Sequence, residues 1–335
     1  MHTAFTMDFR NTQREPWKQF WEDRLWLMVE AEAMGFDSLL IQEHFFQEDG
    51  YSPSVPVFLT ALAERTSRAR IGSYTYILPL HHAAQLAQET AVLDQFSEGR
   101  LDVCVGAGHN PDEYIAWGYN PKTRPSRMEE GLTVLKKAWT ERPFSFEGKY
   151  YKLDSIGVYP EPYQQPHPPL WVAATSPAAA ARAGRHGAFL HGASVDPEFH
   201  GAYLRAWEES GRQRGEARIS NPWSITVTDE NPGDVWQRNR AHYQRRWKFY
   251  SDVRAGMGDE ELAYGLEADS GDLYRDFELI GSAEYVTDTL RELVSSMPIT
   301  DLVHSGPAAG IPIRTEAYES LKAFADLVLP EVKRW

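Results

Sequence analysis

A single cysteine, Cys104, stands in a chain of 335 residues. One thiol cannot form an intramolecular disulfide, and it cannot supply a cysteine-based zinc site. Its setting in the apolar run LDVCVGAG (101–108) reads as a buried structural thiol. Positive charge is short as well: 34 Lys and Arg stand against 48 Asp and Glu, a net charge of −14. Such a surface repels nucleic acid and anionic membranes, so neither is an expected partner. No apolar run approaches the ~20 residues of a membrane-spanning helix. The opening MHTAFTMDFR lacks the basic segment and apolar stretch of a signal peptide, and a cytoplasmic location is expected.

Several chemistries lack their signatures too. No G-x-G-x-x-G follows the first predicted strand, and there is no Walker loop. A zinc hydrolase barrel needs a His-x-His near strand 1, and none is present. No lysine ends a strand, as Schiff-base chemistry requires. No carboxylate cluster marks a hard-cation site, so no metal is expected.

Aromatic residues are plentiful: 11 Trp, 16 Tyr and 15 Phe. A surplus of this kind suits a pocket for a flat, apolar ligand. Short apolar runs alternate with longer segments of helical period. Strands are predicted at 3–9, 37–41, 69–78, 101–108, 169–175, 187–192, 221–228 and 299–306, with helices between them. Pro16 opens the first helix, with Trp17, Trp21, Leu25 and Met28 on its buried face. Alternation of this kind argues for a parallel sheet covered on both faces. A count near eight favours an α/β fold of the (β/α)8 TIM-barrel type, one domain over 1–335. Insertions at the C-terminal face are expected at about 143–169, Pro- and Tyr-rich with a small β element, and at 251–275, acidic and read as a lid.

Barrel active sites lie at the C-terminal ends of the strands. After strand 2 comes Glu43-His44-Phe45. Strand 3 carries Tyr74 and Thr75, and strand 4 runs into Gly106, Ala107, Gly108, His109 and Asn110. Thr175 and Ser176 follow strand 5, His191 ends strand 6, and Gly281-Ser282 precedes a helix. These small residues, hydroxyls and imidazoles suit a large flat cofactor held by backbone and hydroxyl contacts. Ser176 before Pro177, and Ser282 after Gly281, offer helix N-termini to an anion. Each reads equally as an ordinary helix cap.

The segments GFDSLLIQEHFF (35–46), IGSYTYILPLHHAAQLAQETAVLDQFSEGRLDVCVGAG (71–108), PHPPLWVAATSPAAAARAGRHG (166–187), IGSAEYV (280–286) and GPAAGIP (306–312) resemble, in order, the bacterial luciferase-like flavin-dependent monooxygenase family. The resemblance implies a barrel that binds flavin at its C-terminal face. It implies reduced FMN (FMNH2) supplied by a separate NAD(P)H:flavin reductase, O2 as co-substrate, a small organic substrate, and a homodimer. A sister branch uses the deazaflavin F420 for hydride transfer, and that alternative stays open beside a flavin-binding protein without turnover.

On the same resemblance, His44 falls on the family's active-site histidine. Glu43 either orients its imidazole or faces solvent. Tyr74-Thr75 falls where the family often has a non-proline cis peptide beneath the flavin ring, with Thr75 the better contact and Tyr74 larger than usual. Gly106 and Ala107 stand where luciferase has a cysteine and a phosphate-binding arginine. Cofactor contacts are thus expected from Tyr74, Thr75, Gly106, Ala107, Gly108, Thr175, Ser176, Gly281 and Ser282. His82 is expected to be structural, and Trp171, His191 and Trp223 to be core or pocket wall.

Overall fold

The computed structural model describes residues 1–192, 194–256 and 275–335. Eight strands make the barrel: β1 His2–Thr6, β2 Ser38–Ile41, β3 Arg70–Ser73, β4 Leu101–Gly106, β5 Leu170–Ala174, β6 Phe189–Gly192, β7 Ile219–Val227 and β8 Asp301–Ser305. Each pairs in parallel with the next, and β8 returns to β1 with His2 opposite Asp301, so the sheet closes. The short strand Glu278–Gly281 extends the β7 edge, with Ser224 opposite Glu278.

The period of two along each strand sorts side chains between two regions. Phe5, Leu39, Ile71, Val103 and Val172 face the helices and are almost completely buried. Full burial of each such side chain contributes roughly 1.5–3 kcal/mol. The alternate residues Ala4, Leu40 and Cys104 face the barrel axis and border a cavity there.

The boundaries differ from the sequence reading where local geometry intervenes. The run read as one strand over 69–78 is broken by a cis Tyr74–Thr75 peptide. Beyond it, Tyr76–Ile77 pairs with Val105 and Gly106 of β4, and a 3-10 turn, Leu78–Leu80, follows. The first helix is Trp17–Ala33, but its buried side is Phe20, Leu25, Leu27, Met28 and Ala31. Trp17 is instead exposed, its ring packed over the positive-φ Gly50.

The 143–169 segment does contain a hairpin, Phe144–Glu147 against Lys152–Ile156. Its roots lie at the N-terminal end of the barrel, where Gln164 donates to Asp94 and to the Leu101 carbonyl. Its tip climbs the outside of helix Arg124–Thr140 and reaches the C-terminal rim. There Glu130 accepts the Lys149 and Tyr150 amides, and Tyr151 reaches the His81 carbonyl. Helix Pro232–Gly256 is tied to the barrel through Arg246, which reaches Ser224 and the Gly306 carbonyl. The lid expected over 251–275 falls for the most part outside the described residues. No helix among the described residues is long and apolar enough to cross a membrane.

Candidate active site

The end of β2 delivers three buried polar residues in a row, Gln42, Glu43 and His44. Burial requires each to find a partner. Gln42 donates to Thr6 Oγ1 at 2.8 Å. Glu43 neither orients His44 nor faces solvent. Its Oε2 accepts the Ile77 amide at 2.7 Å and faces His81 Nε2 at 2.8 Å, locking β2 to the chain beyond the cis peptide. Burial disfavours a charged His81 ring, but Glu43 outweighs it and raises the His81 pKa. His82, by contrast, is exposed at the start of helix Ala83–Phe96.

His44 takes its partner from further along the chain. Its Nδ1 lies 3.1 Å from Glu113 Oε1, which also accepts the Phe45 amide at 3.0 Å. A carboxylate, when ionised, only accepts, so this contact favours the tautomer with the proton on Nδ1, in which Nε2 offers a lone pair. Among the described residues Nε2 makes no hydrogen bond. Glu113 is buried, and among the described residues its Oε2 has no hydrogen-bond partner. It sits in the first turn of the short helix Pro111–Ala116, capped by Asn110, whose side chain accepts the Asp112 amide at 3.0 Å. The sequence carries the cap signal Asn-Pro-Asp-Glu, but nothing local names His44 as the partner.

Aromatic rings enclose the imidazole. Tyr51 stacks on His44 with centroids 4.3 Å apart and planes at 25°. Phe249 and His109 meet it edge-on at 5.3 and 5.5 Å. Tyr51 and Tyr250 share a hydrogen bond of 2.8 Å between their hydroxyls. Phe249 and Tyr250 come from helix Pro232–Gly256, which two side chains anchor. Arg246 donates to Ser224 Oγ and to the Gly306 carbonyl, and Trp247 Nε1 donates to Glu278. Burial raises the Glu278 pKa, with Arg246 partly offsetting it. Asp8 accepts from Arg10, whose guanidinium lies over the Tyr51 and Phe249 rings. Burial opposes the charge on Asp8, yet Arg10 and then Arg246 hold it below the usual carboxylate range.

The cis peptide sits beside this cluster on the neighbouring strand. Tyr74 turns inward: its ring lies 4.5 Å from that of His191 on β6, and its hydroxyl faces Ser305 on β8. His191 bonds Ser220 Oγ at 2.7 Å, and burial pushes its pKa down to about 4. Thr75 points at β4. A Cβ at Gly106 would lie 2.7 Å from Thr75 Oγ1, so only glycine leaves that hydroxyl its place. Gly108 has a φ of 66°, and a Cβ there would meet Ile77 at 2.7 Å. The Ala107 carbonyl accepts from Tyr114 at 2.6 Å.

The remaining expected contacts lie at the rim. Thr175 and Ser176 are exposed after β5, and Ser282 is exposed after Gly281 on the β7 side. Both serines cap helices: Ser176 Oγ accepts the Ala179 amide at 3.4 Å and Ser282 Oγ the Tyr285 amide at 3.2 Å. Trp171 and His191 border the axial cavity, whereas Trp223 packs against the main core.

A sequence profile described as luciferase-like monooxygenase matches residues 3–299. The F420-dependent glucose-6-phosphate dehydrogenase of Kineococcus radiotolerans is 32% identical over 225 residues, 63% of this chain and 66% of that protein. The oxygenase component of a flavin-dependent trigonelline monooxygenase from Acinetobacter baylyi is 28% identical over 170 residues, 50% of this chain and 47% of that protein. The chain spans about half to two thirds of the length of these curated relatives. Among solved structures, monooxygenase RslO1 from Streptomyces bottropensis superposes with a TM-score of 0.85 at 24% identity, covering 99% of this chain and all of that one. At that identity the likeness is one of fold.

Proposed function

Since the chain belongs to the luciferase-like monooxygenase family, we propose that it is a flavin-dependent monooxygenase that uses reduced FMN and O2 to oxygenate a small organic substrate. The observation that carries this reading is His44, with Nδ1 held by Glu113 and Nε2 free to meet a ligand, beside the cis Tyr74–Thr75 peptide. Reduced flavin would supply the two electrons that leave one oxygen atom in product and the other in water. The chain supplies the rest. His44 holds or moves a proton at Nε2, Glu113 fixes the ring, and Phe249 and Tyr250 exclude water from it.

The residues present fit a flavin ring. Glycine at 106 keeps Thr75 against β4, where a Cβ would collide with its hydroxyl. Aromatic walls and the cis peptide give a flat, largely apolar seat. The phosphate end is less charged. Ala107 carries no guanidinium, while Arg10 and Arg246 are spent on Asp8, Ser224 and the Gly306 carbonyl. Anion binding then rests on the capped helices at Ser176 and Ser282, with Thr175 and Gly281 beside them. Such a site suits transient binding of FMNH2 delivered by an NAD(P)H:flavin reductase, and one relative is itself named as an oxygenase component. We further propose a homodimer, since Val57, Val92 and Phe96 are exposed on the packed helices Val55–Arg65 and Ala83–Phe96.

Ala107 also favours a second reading, hydride transfer with F420, which the 32% identity to an F420-dependent dehydrogenase supports. Anaerobic titration of the apo-protein with FMNH2, oxidised FMN and F420, side by side, separates the two. Preference for FMNH2 is expected. Preference for F420 replaces the first reading with the second, and binding of none removes both.

A further inference from the structure

A (β/α)8 barrel normally fills its interior with layers of bulky side chains. Here several inward positions are small. Ala4, Ser38, Cys104 and Ser220, from four different strands, take places where Val, Ile or Leu would close the axis. A partly open cavity of about 40 Å³ remains. At ~10–15 Å³ for each molecule of water's size, it holds about three. Leu40, Tyr74 and His191 border it and are half-buried.

The cavity has two ends. At the N-terminal end lie His2, Asp102, Arg218 and Asp301. Their polar groups are already engaged: Arg218 with Asp301, Asp102 with Arg70, and His2 with Ser38. At the other end, Tyr74 crosses from β3 to His191 and Ser305, directly below Thr75. Between them the wall is Ala4, Leu40, Cys104, Trp171 and Val303, with Ser38, Ser73 and Ser220, whose hydroxyls are bonded to His2, the Cys104 carbonyl and His191. A mostly apolar cavity whose polar groups are already bonded offers little to water and accommodates small apolar molecules.

We propose that the barrel core is a binding site for dioxygen, separated by Tyr74 from the C-terminal face, where a flavin would bind. The assignment to dioxygen rests on the monooxygenase reading above; the existence of the site does not. Tyr74 thereby gains a role that its position at the cis peptide leaves unexplained, since a smaller residue would open the cavity to the mouth.

Xenon matches dioxygen in being small, apolar and polarisable, and it needs no flavin. Crystals pressurised with xenon are expected to show it among Leu40, Cys104 and Trp171. Two variants, Cys104→Leu and Ala4→Leu, fill the space from different strands and are expected to lose the xenon. In stopped flow, the second-order rate constant of protein-bound FMNH2 with O2 is expected to fall about tenfold in whichever variant keeps the wild-type melting temperature, with FMNH2 affinity unchanged. No xenon in the wild type, or ordered water filling the cavity in its place, overturns the site. Xenon bound with an O2 rate that neither filling variant moves overturns the assignment to dioxygen. Failure of FMNH2 to bind sinks the monooxygenase reading and leaves the xenon result standing.

Discussion

Glu113 Oε1 bridges His44 Nδ1 and the backbone amide of Phe45, at 3.1 and 3.0 Å. One buried carboxylate therefore fixes both the ring and the strand end that carries it. Replacing Glu113 by Ala is expected to cost about 1–3 kcal/mol of stability, because the Phe45 amide loses its acceptor. Turnover should fall by roughly 10²-fold or more, the range of a positioned acid–base group. His44→Ala should lose activity similarly while leaving the melting temperature closer to wild type. Flavin affinity in both variants, measured by fluorescence quenching, should be unchanged; a large loss would make His44 a cofactor anchor.

The Thr75–Gly106 contact gives a test without ionisable groups. Gly106→Ala places a Cβ 2.7 Å from Thr75 Oγ1, so Thr75 must move. Weaker flavin binding is expected, by about tenfold or ~1.4 kcal/mol. Combining it with Thr75→Ala removes the collision. The double variant should bind no more weakly than Thr75→Ala alone, and calorimetric titration of the three variants checks this.

The Glu43–His81 pair makes stability depend on pH. The His81 pKa is raised in the fold, so its contribution is complete below the unfolded value, ~6.5. That contribution disappears as pH rises through the higher folded value. The melting temperature of the wild type should therefore drop more than that of His81→Gln between about pH 6 and about pH 9. Glu43→Gln leaves His81 without its charge partner and weakens the acceptor of the Ile77 amide. A loss of about 3–5 kcal/mol in a denaturant titration is the expected scale.

Asp8 works in the opposite direction. Arg10 holds its pKa below the usual carboxylate range, so its stabilisation is present above ~4 and is lost as pH falls below that. Asp8→Asn leaves Arg10 buried without its carboxylate, and a cost of about 3–5 kcal/mol follows near neutral pH. Below about pH 3 the gap between variant and wild type should narrow. Unfolding followed by tryptophan fluorescence across acid pH reports both.

Much of this molecule was legible in the chain before folding. Apolar period fixed the alternation of strands and helices, because burial of a strand face or a helix stripe is a local property of spacing. The barrel followed from the count, and the candidates His44, Tyr74, Thr75 and Gly106 were proposed from their places at strand ends. The resemblance added the flavin. The tertiary structure decided what those residues do to one another. Glu43 stands next to His44 in sequence, yet it turns to His81, and the partner of His44 is Glu113, 69 residues on. Neighbours in a strand point to opposite sides of the sheet. Consecutive polar residues at its end thus enter different surroundings, and their partners are set by which elements the closed barrel brings alongside. The same closure turned Tyr74 inward and, with small residues at alternate positions on several strands, left space on the axis. Those positions lie far apart in the sequence, and only the circular order of the strands makes them face one another.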